Sequence, residues 1–388
     1  MRRSRVFSTR NAPASPTAVS GERPDFGRAS ELRPDNEEGT VPLSTSELVQ
    51  GHAVTVSFRM PAEWTPHAAV WTAWPHDPEQ WLEGLEAPQR ALMAMVAAIV
   101  DLDAGTPRGE RVELLVRNAD DEAKARALLG PAAAGVRFHH TTYGDVWLRD
   151  TGPIFVTRDG EVSAARFRFD GWGGKYVMEG DPDVSARVMA WTGVRGAAFD
   201  FVLEGGAVEV DGAGLLLTTK QCMLGGARNP GLDQRALDAR LCWALGVDRV
   251  IWLDRGLRND HTDGHIDTLA RFVAPGVVTC MEPAANDPNR DALAGILADL
   301  RAAKLEVVTV PSPGDVRDAS GMVMPASYMN FYLSNTAVVI PTYGVASDDA
   351  AVAAIGAMFP ARKAIGLDGK SVVVGGGAFH CSTQQQPR

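Results

Sequence analysis

Cysteine is scarce. The 388 residues hold four, Cys222, Cys242, Cys280 and Cys381, scattered and with no CxxC pair among them. That excludes a disulfide framework and a zinc knuckle, and fits a reducing cytoplasm. Long apolar runs are missing as well: nothing approaches the roughly 20 residues that span a bilayer, so no membrane partner is expected. Basic charge is in deficit, with 38 Lys and Arg against 48 Asp and Glu, a formal net charge of −10. Such a field disfavours nucleic acid and favours cationic ligands entering a cleft. Gly173-Gly174-Lys175 lacks the spacing and the following Ser or Thr of a phosphate loop, so nucleotide binding is not signalled.

What is present is ordinary for a globular chain: 45% hydrophobic and 22% charged residues, enough for a sizeable core. Residues 1–57 differ. Arg2, Arg3, Arg5 and Arg10 stand among Ser, Thr, Ala and Pro, with no acid before Glu22. That is the composition of an organelle transit segment, but a disordered tail is the simpler expectation, and no export-type apolar stretch follows the arginines. No Pro/Ser linker divides residues 58–388, which predicts a single domain there.

Within that span short apolar segments alternate with Ala-rich helical ones, an α/β pattern. Helices are expected over Gln89–Leu102, Ala119–Leu129, Asp183–Thr192, Asp233–Leu245, Arg290–Ala302 and Asp348–Met358. Strands are expected at Ala69–Trp74, Arg111–Val116, Val136–His140, Ile154–Val156, Val208–Val210, Leu215–Thr218, Arg249–Trp252, Thr268–Val273, Gly276–Met281, Leu305–Val310, Ala337–Ile340 and Val372–Val374. Helix–strand units recur every several tens of residues, and Leu203–Ala207 faintly echoes Val374–Ala378, a hint of internal repetition.

Three acids have unusual settings. Asp150 ends an apolar stretch where the chain must turn, Glu204 precedes Gly205-Gly206, and Asp267 follows His265 at a period of two, which would put both on one strand face. Each alone is more often a cap or an ion-pair partner. The run Gly375-Gly376-Gly377-Ala378-Phe379-His380-Cys381 says more: three glycines allow close backbone approach and present a nucleophilic thiol, whereas Cys222, Cys242 and Cys280 read as small buried hydrophobes. His261 and His265, four apart, could join His380 and Cys381 around zinc, but Asp263-Gly264 breaks the helix this spacing needs, so no metal is expected.

Seven motifs in order carry a resemblance: Trp71–Pro75, Trp147–Pro153, Phe169–Gly174, Glu204–Gly206, Asp263–Asp267, Ser327–Tyr332 and Gly375–Pro387. With them the chain from Phe58 onward resembles the agmatine deiminase and bacterial-type peptidyl-arginine deiminase family of guanidine-modifying enzymes. The resemblance implies a five-bladed pseudo-symmetric α/β propeller, the pentein fold, and a hydrolase that needs no cofactor. It implies a small cationic guanidino substrate, most plainly agmatine, converted to N-carbamoylputrescine and ammonia through a covalent thiouronium. Arginine or peptidyl-arginine deimination and amidinotransfer are the alternatives on that scaffold. Residue by residue, Cys381 matches the nucleophile, Asp150 and Asp267 the carboxylates that grip the guanidinium, and His265 the acid and base. Glu204 would hydrogen-bond His265 and raise its pKa, and Trp147 would stack on the cation. Asp170 stands where the family commonly has Asn. Arg166 and Arg168 share a strand face and would clamp a substrate carboxylate if they met the tail, though a solvated face is the simpler reading. Whether the chain forms a homo-oligomer is left open.

Overall fold

The computed structural model describes residues 40–42, 58–81 and 83–388, within the compact unit Gly39–Arg388. The expected disorder of the extension falls on residues outside that description, apart from a short strand, Thr40–Pro42, paired with Gly196–Val202.

Five sheets repeat one pattern: a short strand, an antiparallel partner, a helix, and a strand parallel to that partner. In chain order they are Ile154–Arg158, Glu161–Arg168 and Gly196–Val202; Glu209–Val210, Leu215–Thr219 and Arg249–Leu253; Ala270–Ala274, Val277–Met281 and Glu306–Val310; Tyr332–Leu333, Ala337–Thr342 and Lys363–Asp368. The fifth joins the two ends of the unit. Its short strand, Gln384–Pro387, is the last in the chain and pairs antiparallel with His67–Ala73, which lies parallel to Arg111–Val116. The helix–strand units thus recur as a structural period, but the echo of Leu203–Ala207 in Val374–Ala378 is not part of it: the first ends just before its short strand and the second before the turn Phe379–Ser382.

Each parallel pair is joined by a helix whose apolar side packs on the sheet. Arg290–Ala302 buries Leu293, Ile296 and Leu300, three and four residues apart as one helical face requires. Truncating any one of them to Ala would cost about 2–5 kcal/mol. Starts are fixed locally: Asn118 and Asp233 accept hydrogen bonds from the backbone N–H of Asp121 and Ala236. No helix among the described residues is long and apolar enough to cross a membrane.

Two sequence expectations fail. Val372–Val374 is not a strand; Lys370–Val373 forms a helical turn, because the fifth sheet is completed by Gln384–Pro387, a polar segment without β-branched residues. His265 and Asp267 do not lie on a strand face either. Asp263 and Gly264 take positive φ, 65° and 89°, and Ile266–Thr268 is a 3-10 turn that ends before the strand begins at Ala270.

Candidate active site

In every repeat the short antiparallel strand is preceded by a tight turn, and these five turns converge. They are Leu148–Thr151 before Ile154, Gly205–Ala207 before Glu209, Ile266–Thr268 before Ala270, the turn at Tyr328–Asn330 before Tyr332, and the turn at Phe379–Ser382 before Gln384. One turn supplies Asp150, the next Glu204 and Gly206, the third His265 and Asp267, the fourth Asn330, the fifth His380 and Cys381. Residues spread over more than two hundred positions thus meet because they occupy equivalent places in a repeated unit.

Cys381 Sγ lies 3.3 Å from Asp267 Oδ2 and receives a hydrogen bond from Asn330 Nδ2 at 3.0 Å. Asn330 also accepts from the Cys381 backbone N–H through Oδ1, so one side chain fixes both backbone and sulfur. Asp150 is held from two sides: the indole N–H of Trp172 donates to Oδ2 at 2.9 Å and the Gly206 N–H to Oδ1 at 2.9 Å. Gly206 has to be glycine. A Cβ there would stand 2.6 Å from His265 Nδ1 and 2.8 Å from Asp150 Oδ1. Gly377 is equally constrained, since a Cβ would meet Cys381 Cβ and the Trp147 ring, both at 2.8 Å. His265 Nδ1 stands 3.6 Å from Asp150 Oδ1.

Asp150 and Cys381 open into a cleft of about 220 Å³, with Asp267 and His265 fully buried behind them. Asp145, Trp147, Trp172 and His261 line it with Asp150 and Cys381, and Glu79 stands on its wall as well. Trp147 stacks on Trp81 with ring centroids 5.9 Å apart, and its indole N–H donates to Asp145.

The electrostatics are set by burial first. Burial, then Asp267 and Glu204, pushes Asp150 well above the ordinary carboxylate range. Burial, then Asp267 and Asp150, pushes the Cys381 thiol well above its usual value. Asp267 goes the other way: burial opposes ionisation, but the hydrogen bond and charge of His380 outweigh it and lower its pKa. Burial drives His265 down to about 3, so the imidazole is neutral.

The expected bond from Glu204 to His265 is not made. Glu204 Oε1 accepts from Arg228 Nε at 2.7 Å, while Oε2 and both ring nitrogens of His265 have no partner. With one carboxylate oxygen held by a guanidinium and the other unpaired, Glu204 does not hold the imidazole. The imagined zinc quartet is not assembled either. His261 stacks on Tyr176, and His380 sits between Asp267 and Glu63, 2.7 Å from each. Arg166 and Arg168 line a different groove with Phe167, Phe199 and Asp200, away from the cleft. Asp170 Oδ1 accepts from the Gly173 N–H at 2.8 Å, a role that the family's Asn fills equally well.

Sequence reasoning missed the support beneath the site. Glu63 accepts from Arg271 Nη2 at 2.7 Å and from His380 Nε2 at 2.7 Å, and Arg271 also donates to Glu209. Arg149 Nη1 donates to Gln385 Oε1 at 2.6 Å. The only sequence signal for this layer was position, since Arg149, Glu209, Arg271 and His380 lie in or just after four of the five turns.

A family model described as Porphyromonas-type peptidyl-arginine deiminase matches residues 59–387. The chain belongs to that family. It is 36% identical over 361 residues to the agmatine deiminase of Ectopseudomonas mendocina, covering 85% of this chain and 95% of that one. An agmatine deiminase of Pseudomonas aeruginosa is 35% identical over 362 residues, with the same coverage. Among solved structures, agmatine deiminase of Enterococcus faecalis superposes with a TM-score of 0.77 at 32% identity, covering 86% of this chain and 96% of that one. The α/β fold is therefore that of the family, and the chain is a hydrolase of C–N bonds in amidines that works through a cysteine.

Proposed function

We propose that this enzyme hydrolyses agmatine to N-carbamoylputrescine and ammonia through a thiouronium on Cys381. The observation that carries the choice of substrate is the charge of the cleft. Among the described residues lining it, Glu79, Asp145 and Asp150 are acidic and none is Arg or Lys. With Asp150 engaged by the guanidinium, a tail ammonium meets Glu79 and Asp145 there; the carboxylate of arginine meets no Arg or Lys and is repelled. The removal of Arg166 and Arg168 to another groove supports the same choice.

The chemistry follows from the turns. Asp150 and Asp267 grip the planar guanidinium through charge-assisted hydrogen bonds, with its carbon next to Cys381 Sγ. Trp147, already packed in the cleft wall, gives its face to the cation. The bound cation offsets the two carboxylates and lets the thiol ionise. Neutral His265 takes that proton, and the thiolate attacks the carbon. His265 then gives the proton to the departing nitrogen; ammonia leaves and the thiouronium forms. Water, deprotonated by His265, adds to the same carbon, and the C–S bond breaks to return the thiolate and release the carbamoyl product. Asn330 Nδ2, 3.0 Å from Sγ, stabilises the sulfur anion at both ends of the cycle.

We read the five repeated sheets as blades of a propeller whose axis passes through the converging turns, with residues 58–388 as one catalytic domain. The common strand–strand–helix–strand pattern supports this, as does the closure of the fifth sheet by the last strand. Four free cysteines support a reducing, cytoplasmic setting.

Ammonia release measured over agmatine, arginine, arginine peptides and guanidino acids tests the reading. Agmatine should exceed arginine in kcat/KM by about 100-fold, the effect of stranding a carboxylate at about 3 kcal/mol. Comparable turnover of arginine would overturn the choice, and carbon transfer to an added amine would replace hydrolysis by amidinotransfer.

A further inference from the structure

Cys222 belongs to none of the five turns, yet it stands beside them. It lies in the short helix Lys220–Leu224, capped by the Thr219 hydroxyl, directly after the strand Leu215–Thr219. Its Sγ, a carboxylate oxygen of Glu204 and a ring nitrogen of His265 all lie within 4.8 Å of one another. Glu204 and His265 are fully buried, and Cys222 is nearly so. Buried polar atoms are ordinarily paired, because leaving one unpaired costs about 1–3 kcal/mol. Here Glu204 Oε2 and both His265 nitrogens have no partner. Arg228 occupies Oε1 at 2.7 Å and holds the carboxylate in place while leaving the other oxygen free.

We infer that Glu204, Cys222 and His265 form an inhibitory site for a thiophilic divalent cation such as zinc. A carboxylate oxygen, a thiolate and an imidazole are the donor types of tetrahedral zinc, whose fourth ligand would be a water carried in with the ion. The donors, within 4.8 Å of one another, must draw closer to ligate one ion. On binding, the metal–sulfur bond replaces the S–H bond, the thiol proton leaves to solvent, and no oxidation state changes. Thiolate and carboxylate then carry two negative charges that match the dication, while Asp263 accepts from Arg228 Nη1 at 2.9 Å and from Lys175 Nζ at 2.7 Å. The ion engages the imidazole that the proposed chemistry needs for proton transfer. It is therefore an inhibitor rather than a cofactor, and it acts without touching Cys381.

The test uses Co²⁺ as a spectroscopic stand-in and the full chain carrying Cys381→Ala, which removes the cleft thiol. One equivalent of Co²⁺ should give a thiolate-to-cobalt charge-transfer band, and Zn²⁺ should displace it. The band should disappear in Cys222→Ala/Cys381→Ala, which keeps Cys242 and Cys280. No band in Cys381→Ala, or an equal band in the double variant, would overturn the site. This arm is independent of the substrate reading. The second arm rests on that reading: Zn²⁺ should inhibit ammonia release by the wild-type enzyme, and Cys222→Ala or Cys222→Ser should be at least tenfold less sensitive. Unchanged sensitivity in an active variant would overturn the inhibitory role.

Discussion

Filling the guanidinium site should make Cys381 more acidic. In the free enzyme Sγ stands 3.3 Å from Asp267 Oδ2, and Asp150 adds to the repulsion that ionisation would meet. Two unit charges at that separation interact by about 5 kcal/mol at an effective dielectric of about 20. One pKa unit corresponds to about 1.4 kcal/mol, so a bound cation that offsets a third of this repulsion moves the thiol titration down by about one unit. The assay is the ultraviolet absorbance of thiolate as a function of pH, taken as the difference between wild type and Cys381→Ala. It is run with and without an unreactive alkylguanidinium. Asp267→Asn supplies the internal control: its thiol should titrate lower without ligand and respond little to it. A wild-type titration indifferent to saturating ligand would refute the reasoning, because the carboxylates would then not govern the sulfur.

Gly206→Ala should cut kcat by at least tenfold while leaving the fold intact, since its methyl group falls on His265 and Asp150; normal turnover with a native circular dichroism spectrum would contradict this. Asp145, pushed to about 7 by burial and by Asp181, ionises in the cleft as pH rises. KM for agmatine should therefore fall through that range, and the dependence should vanish in Asp145→Asn. Glu63 concerns stability. Burial opposes its ionisation, but Arg271 and His380 hold its folded pKa well below 4.5. Its contribution is therefore present above the unfolded value and lost as pH falls through the folded one. Glu63→Gln should lower unfolding free energy by about 1–3 kcal/mol at neutral pH, by weakening its bonds to Arg271 and His380 while Glu209 still pairs with Arg271, and should flatten the acid limb in denaturant titrations.

Much of the framework could be read without coordinates. Arg111–Val116 was legible because a strand buried along most of its length is nearly a continuous apolar run, whereas Val136–His140 is partly exposed and shows only the alternation of Val136 and Phe138 with Arg137 and His139. Ala119–Leu129 and Arg290–Ala302 were legible from their periodicity. Gln384–Pro387 was not, because its pairing with His67–Ala73 comes from closing the repeat and leaves no local apolar signature. Cys381 was marked by its glycines. Asn330 lay inside a recognised motif yet was given no role, since an amide has no tell-tale spacing when its partner is a backbone N–H and a sulfur fifty-one residues on. The Glu204 error has the same root. Sequence placed it near His265 but could not show that Arg228, twenty-four residues later, takes one of its oxygens.

The most direct measurement is the mass of wild-type enzyme acid-quenched within the first turnovers of agmatine. An added mass equal to agmatine less ammonia, mapped to the peptide carrying Cys381 and absent from Cys381→Ala, is the expected result. Ammonia release that persists in Cys381→Ala, or an adduct mapped to another residue, would contradict it.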